Sequence, residues 1–585
     1  MSSERTYILP EELVPFDRNF AGSSSNIAVI GSGSIGGKAS GLAHIEKTLL
    51  SRFGGSKNTG IEVMIPRFVV VTGDYFDRFM KRNGLYEAAL SDMSDEYIAH
   101  AFAGGQLDYE LIDHLHAVIQ TFDFPLAVRS SSLLEDAMYE PFAGVYATKM
   151  LPNNNEDLDK RREELENAIK FVYASTFFSE ARGYHRAIGK KSEEEKMAVI
   201  IQEVVGKKFG DRYYPHISGV ARSYNFYPSG AARPENGVVS LALGLGKTIV
   251  DGGIVWSYSP ACPRVNPPVS SPAELLKFSQ SEFWAVNMGA PSVTNPMQET
   301  EFMLKESITS AEEDGTLKYI ASTYRPHDDR VVLGTGSPGP RILTFAPILI
   351  ANQLPLNDLI VELLNICETA LDNNVEIEFA LTISEGEETS AKLGFLQVRP
   401  MVVSDYVIDI DPGEMQGEKV LVASAIALGN GADNSIRDII FVDPDNFDPQ
   451  HTRQIAGELA DFNRCMIDEG TPYLLIGFGR WGSSDPWLGI PVNWGQISGA
   501  RALVEATLPG MDVELSQGAH FFHNMTSFQI CYFAVHHSAR YGINWEWLKG
   551  QTPLRKTGFI KHLQLQSPLS LKVDGRSGRG VVLLP

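Results

Sequence analysis

Residues 125–148 read PLAVRSSSLLEDAMYEPFAGVYAT. The run PLAV is continuously apolar, the pattern of a strand buried on both faces, and it ends in Arg129-Ser130-Ser131-Ser132. A strand with a buried base delivers Arg129 at its polar end, where the guanidinium offers a planar fork of N–H donors that fits phosphate oxygens. The alternative, a surface arginine after an edge strand, sits poorly with so apolar a run before it.

Upstream, residues 26–31 (NIAVIG) read as a short buried strand. GSGSIGGKASGL (31–42) follows and leads into a helix from about Ala39. Gly31, Gly33 and Gly36 match the dinucleotide fingerprint G-x-G-x-x-G. That fingerprint needs an acidic ribose ligand about 20 residues further on, and SRFGGSKNTG stands there instead. A P-loop fails as well, with Ser32 at its first glycine and Ala39 at its Ser/Thr. What remains is flexible backbone N–H donors at Gly36 and Gly37, a helix N-terminus and Lys38, which together can hold a polyphosphate. A tight turn between strand and helix is the competing reading.

Further along, 61–72 (IEVMIPRFVVVT) reads as an apolar strand region, residues 74–122 as polar and helical, and 157–187 as a long amphipathic stretch. KMAVIIQEVV (196–205) is a continuous apolar strand, and HISGVARSYNFYP and GVVSLALGLGK are strand-like, each ending in a turn. VEIEFALTI (375–383) sets Glu376 and Glu378 on one face, because i and i+2 alternate together. Two carboxylates so placed repel unless a cation lies between them, and Mg²⁺ bridging phosphate oxygens fits; a solvated strand face is the alternative. In GFLQVRP (394–400), Gln397 and Arg399 share a face by the same rule.

Taken in order, these segments resemble the nucleotide-binding domain of phosphoenolpyruvate synthase and pyruvate phosphate dikinase. G-G-K-A-x-G-L at 36–42 resembles the opening glycine-lysine motif, and IPRFVVVTGDYFDRFM (65–80) the strand and helix after it. The Arg-Ser-Ser strand end followed by Glu135, Asp136 and then Phe142-Ala143-Gly144 resembles the family's loop that folds over ATP. The resemblance implies that the strand ending at Gln202, Glu203 and Val204 gives adenine its backbone hydrogen bonds. It implies, too, that Lys38, Arg129, Ser130, Gly144, Gln397 and Arg399 address the nucleotide and that Glu376 and Glu378 hold Mg²⁺. It spans roughly residues 25–403 and includes ISGVA (217–221). The expected fold is α+β: an ATP-grasp-like, two-lobed nucleotide-binding domain at 1–403 and a smaller mixed α/β domain at 404–585. One departure stands out. Where the family usually has Gly-Leu-Gly-Glu, this chain has Gly244-Leu245-Gly246-Lys247. That exchanges an anionic ligand for a cation able to neutralise a transferring phosphoryl group.

Composition narrows the partners. A net charge of −22 with no Lys/Arg cluster argues against a nucleic-acid surface. No apolar run reaches the ~18 residues of a membrane span. The N-terminal MSSERTYILPEEL has no apolar core of a signal peptide. The 4 cysteines lie far apart without CxxC spacing, which suits a reducing cytoplasm.

Beyond an acidic, turn-rich segment after about Val403 the chain becomes rich in Gly, Pro and Trp, with Trp481, Trp487, Trp494, Trp545 and Trp547 near its end. No G-G-x-x-S/T-x-H-A pattern follows Arg399, and too little chain remains for another barrel of ~250 residues. The swivelling phosphohistidine domain and the pyruvate barrel are therefore not expected. GFGRWGSSDPW, with Arg480, Ser483, Ser484 and Asp485, is either a loop for an anionic or sugar-like acceptor or a turn packed by tryptophans. His520 and His523 flank two phenylalanines and read either as phosphoryl acceptor or general base, or as core histidines; His536-His537 carry less.

The leading expectation is a phosphotransferase that uses ATP and Mg²⁺, with Lys38, Arg129, Lys247 and His520 as catalytic candidates and an acceptor the sequence does not identify. An ATP-grasp ligase and an ATP-binding regulator without turnover are the alternatives, with a dehydrogenase behind them.

Overall fold

The computed structural model describes residues 13–585 except 18–19, 21–24, 54–59, 92, 133–144, 188–190, 227–231, 252, 266–270, 278, 290–294, 385–389, 402, 404–407, 484, 512, 514 and 516–529. Glu135, Asp136, Phe142, Ala143, Gly144, Ser484, His520 and His523 therefore lie outside the described residues. The chain forms two compact units. Of the described residues, one is drawn from those up to Met401 apart from Ser179–Lys191, and the other from Val402–Pro585 together with that segment.

The first unit is built on two six-stranded sheets. The first runs in the order Val14–Pro15, Ile27–Ile30, Phe68–Val71, Met197–Glu203, Leu126–Ser132, Thr148–Leu151. Its Met197–Glu203 strand is buried along nearly all its length, as the unbroken apolar run demands. One face carries Val128, Ser130, Val199 and Ile201 and meets a helical layer. There Phe76 packs against Tyr173 and Phe177 with ring centroids 5.1 and 6.3 Å apart. The expected helical stretch 74–122 divides into four helices: Gly73–Asn83, Tyr86–Ala89, Asp95–Ala103 and Tyr109–Thr121. Gly84, left-handed at φ 61°, ends the first, and the Ser94 and Asp108 side chains cap the last two. The expected amphipathic stretch 157–187 divides as well, into Leu158–Ser175 and Ser179–Ala187, the latter belonging to the second unit. The C-terminal half of Leu158–Ser175 is buried all round rather than on one stripe.

The second sheet runs Trp256–Tyr258, Val238–Ala242, Ile217–Arg222, Val375–Ser384, Ser390–Pro400, Ile61–Met64. Residues 61–72 are not one strand. Ile61–Met64 pairs with Ser390–Pro400 in the second sheet and Phe68–Val71 with Ile27–Ile30 in the first. Pro66, without an N–H to continue a ladder, lies at the crossing. One core joins the two sheets through Val70 and Ile200 of the first, Ile377 and Val398 of the second, and Ala39 and Leu42 of the helix Gly36–Phe53. The unit is thus an α+β, two-lobed fold.

In the second unit a seven-stranded sheet contains four parallel strands in chain order, Asp438–Val442, Tyr473–Phe478, Ala500–Ala506 and Cys531–Val535. A four-stranded antiparallel sheet shares its core. Among the described residues no helix is long and apolar enough to cross a membrane.

The entry to the helix Gly36–Phe53 rests on one glycine. Gly36 has φ +74°, and a Cβ there would lie 1.7 Å from the carbonyl oxygen of Ser131. Gly36→Ala is expected to cost roughly 2–3 kcal/mol from strain and overpacking, read as a lower urea midpoint; an unchanged midpoint would mean the turn relaxes freely.

Candidate functional site

Arg129 lies near the end of the Leu126–Ser132 strand, and register places it on the same face as Ala127, Ile200 and Gln202. Its Nη1 donates to Gln202 Oε1 at 3.2 Å and to the Leu396 carbonyl at 3.0 Å. Its Nη2 donates to Gln397 Oε1 at 2.9 Å and to Glu378 Oε2 at 3.3 Å. One guanidinium thereby ties the first sheet to the second. The Leu396 carbonyl is offered by a bulge: Glu378 pairs with Gln397 and Phe379 with Phe395, so Leu396 is the extra residue.

The second sheet presents its polar residues in rows. Val220, Glu378 and Gln397 form one, and Arg222, Glu376 and Arg399 the next. In the latter, Arg399 donates to Glu376 Oε1 through Nε (2.8 Å) and Nη2 (2.6 Å), while Arg222 Nε bonds Oε2. Both Glu376 oxygens are therefore engaged by guanidinium groups, and the side chain is buried. Glu376 thus joins an arginine–glutamate–arginine triad, and Arg399 is fixed by Glu376. Glu378 differs: it is partly exposed, and its Oε1 has no partner among the described residues.

At the end of the strand leading into Gln202, Glu203 and Val204, the Glu203 N–H donates to Arg67 O (3.0 Å) and the Val204 N–H to Pro125 O (2.9 Å). The Glu203 carboxylate, on the opposite face from Gln202, pairs with Arg67 at 2.5 Å. Gln202 points its amide into the site, where its buried Nε2 has no hydrogen-bond partner among the described residues. Close by is a small apolar cluster of Ala127, Val204, Leu245 and Val286, with Met150, Trp284 and Met303 packed against it.

Lys38, half-buried, donates from Nζ to Ser130 Oγ at 3.1 Å, one residue along the strand from Arg129. The helix entry is held by Ser131, whose Oγ accepts the Ala39 N–H at 3.1 Å and donates to Ile35 O at 2.8 Å. Lys247 follows the Gly244–Gly246 turn and meets Asp251 (3.1 Å) and Glu299 (3.4 Å). Burial pulls its pKa down, but Glu299 and Asp251 outweigh that and leave it raised.

The sequence reading missed Arg222, Glu299 and the ion pair of Lys149 with Glu301 at 2.7 Å. Arg222 does follow the ISGVA run directly, but a pairing across more than a hundred residues leaves no local signature. Lys149 is nearly fully buried, and burial lowers its pKa although Glu301 opposes the shift. Among the described residues no group of three or more His, Cys, Asp and Glu is placed to hold a metal ion.

Compared with known families, residues 32–407 match the pyruvate phosphate dikinase, AMP/ATP-binding domain. No curated protein matches the chain.

The two strand carboxylates separate experimentally. Glu376→Gln removes the anion of a buried triad and leaves two arginines unneutralised, which is expected to cost about 3–5 kcal/mol of stability. Glu378→Gln should leave the unfolding midpoint nearly unchanged and weaken metal-dependent nucleotide binding. Paired urea melts and nucleotide titrations decide, and equal stability losses would contradict the assignment.

Proposed function

The chain belongs to the family of the pyruvate phosphate dikinase AMP/ATP-binding domain, and on that footing we propose that its first unit binds Mg-ATP in an ATP-grasp-like site and transfers a phosphoryl group to an acceptor. The observation that carries this reading is the Arg129 assembly. It gathers Gln202, Glu378 and Gln397 around one guanidinium and leaves, among the described residues, a buried amide N–H and a partly exposed carboxylate oxygen without a partner. Buried polar groups are rarely left unsatisfied, so the Gln202 amide supports a ligand bound at this position.

In this reading Arg129 and Lys38 address the phosphates, aided by the helix N-terminus at Gly36 and Gly37. Ser130 orients Lys38. Gln202 and the apolar side chains of Val204, Leu245, Met150 and Met303 receive the base. Gln397 fixes Arg129, and Arg399 acts through Glu376 as a positioning residue. For Mg²⁺ the donor set fits one ion: Glu378 Oε1 supplies a carboxylate oxygen, and Mg²⁺ commonly takes one or two carboxylates with phosphate oxygens and waters. Bound there, it would neutralise charge on the phosphate oxygens. The rest of catalysis is positioning and electrostatic stabilisation. His520 is the proposed phosphoryl carrier if one forms on the protein.

A second reading, an ATP-binding regulator without turnover, draws support from the engagement of Glu376 by two arginines. Incubation with Mg²⁺ and radiolabelled ATP, followed by separation of nucleotides and a search for acid-labile protein label, separates them. Turnover is expected from phosphotransfer; tight binding without product favours the regulator. Arg129→Ala should weaken ATP binding roughly 10- to 100-fold, the loss of charge-assisted hydrogen bonds. Unchanged binding and turnover would sink the site.

A further inference from the structure

We infer that Lys247 is a fixed cation for the polyphosphate and that the site consequently takes one divalent ion rather than a pair. The inference rests on the ATP reading above and deepens it. Three observations carry it.

The first is placement. The turn that delivers Lys247 crosses the face of the second sheet that bears Glu378. Ser218 Oγ donates to Gly244 O at 2.6 Å, and Ser218 lies two residues from Val220, which pairs with Glu378. Strand alternation puts Ser218, Val220 and Glu378 on the same face. Leu245, in the same turn, packs with Ala127, two residues before Arg129. The second is fixation from the other flank. Glu299 contacts Lys247 Nζ through Oε2 at 3.4 Å and accepts the Thr148 N–H through Oε1 at 3.2 Å, and Thr148 is paired directly opposite Arg129. The ammonium group is thereby held to the same end of the first sheet as the Arg129 guanidinium. The third is the supply of carboxylates. A two-metal clamp needs several oxygen ligands at close spacing. Here both Glu376 oxygens are engaged by arginines and both Glu299 oxygens by Thr148 and Lys247. Of Glu376, Glu378 and Glu299, only Glu378 keeps a carboxylate oxygen without a partner among the described residues. Part of the positive charge a second metal would bring is supplied by an ammonium group on the protein.

Mn²⁺ and the non-hydrolysable β,γ-imido analogue of ATP test this on the full chain. Electron paramagnetic resonance of free Mn²⁺ counts the ions bound per chain in the presence of saturating analogue. One is expected in the parent protein and two in Lys247→Glu, where a carboxylate replaces the cation. Lys247→Met should still bind one Mn²⁺ but hold the analogue roughly tenfold more weakly. Two Mn²⁺ in the parent protein would overturn the inference and leave the ATP reading standing, as would unchanged analogue affinity in Lys247→Met. Failure of the parent protein to bind the analogue at all would overturn the ATP reading and this inference with it. Circular dichroism of each variant checks that its fold is retained.

Discussion

The Arg129 guanidinium starts on one sheet and ends on another, and the geometry of the proposed nucleotide site follows from that span. Four acceptors receive its N–H groups, and three of them, Glu378, Gln397 and the Leu396 carbonyl, belong to the second sheet. The Leu396 carbonyl is free to accept only because the strand carries one residue more than its partner at that point. The same bulge resets the register, so that Gln397 faces Glu378 and Arg399 faces Glu376. A strand shifted by one residue would send both to the opposite face. The bulge thus ties together an acceptor for Arg129 and the row that holds Glu376.

Buried charge recurs in this unit, and its logic is mutual neutralisation. Glu376 lies between Arg222 and Arg399, and Lys149 meets Glu301 beneath the ring of Phe171, 4.9 Å from its centroid. Ion pairs so deep contribute little net stability, because desolvation offsets most of the attraction, yet removing one partner is costly. Their value here is geometric. Each joins strands or segments far apart in sequence, and neither can slide without stranding a charge in a poor solvent.

Much of the first unit was legible because its elements announce themselves locally. The apolar runs before Arg129 and through Met197–Glu203 read as buried strands and are buried. Alternation alone put Glu376 with Glu378 and Gln397 with Arg399, and the register agrees. What alternation cannot supply is the partner across the sheet. Arg222 is remote in sequence, so the triad that engages Glu376 was invisible. The partners of the Glu203 and Val204 N–H groups were hidden for the same reason: Arg67 and Pro125 are not their neighbours in the chain. The break at Pro66 was in plain view, but apolar residues on both sides masked a change of sheet. In the second unit the parallel strands are runs of five to seven residues, too short for periodicity to separate strand from helix.

The whole-chain charge of −22 would repel a polyphosphate, so the site depends on how its own charges are arranged. Around Arg129 the second sheet contributes Arg222 and Arg399 against Glu376 and Glu378, and Lys38 adds a further cation from the helix entry. Three arginines and a lysine against two glutamates leave this inner set positive. Lys247 is held beside Glu299 and Asp251. Remote surface carboxylates act weakly on such a site, since interactions between exposed charges are largely screened beyond ~8–10 Å in physiological salt. The pairs within it are partly buried and far less screened. An acidic protein can therefore present a locally cationic site, provided its nearest carboxylates are already held by arginine, as Glu376 is.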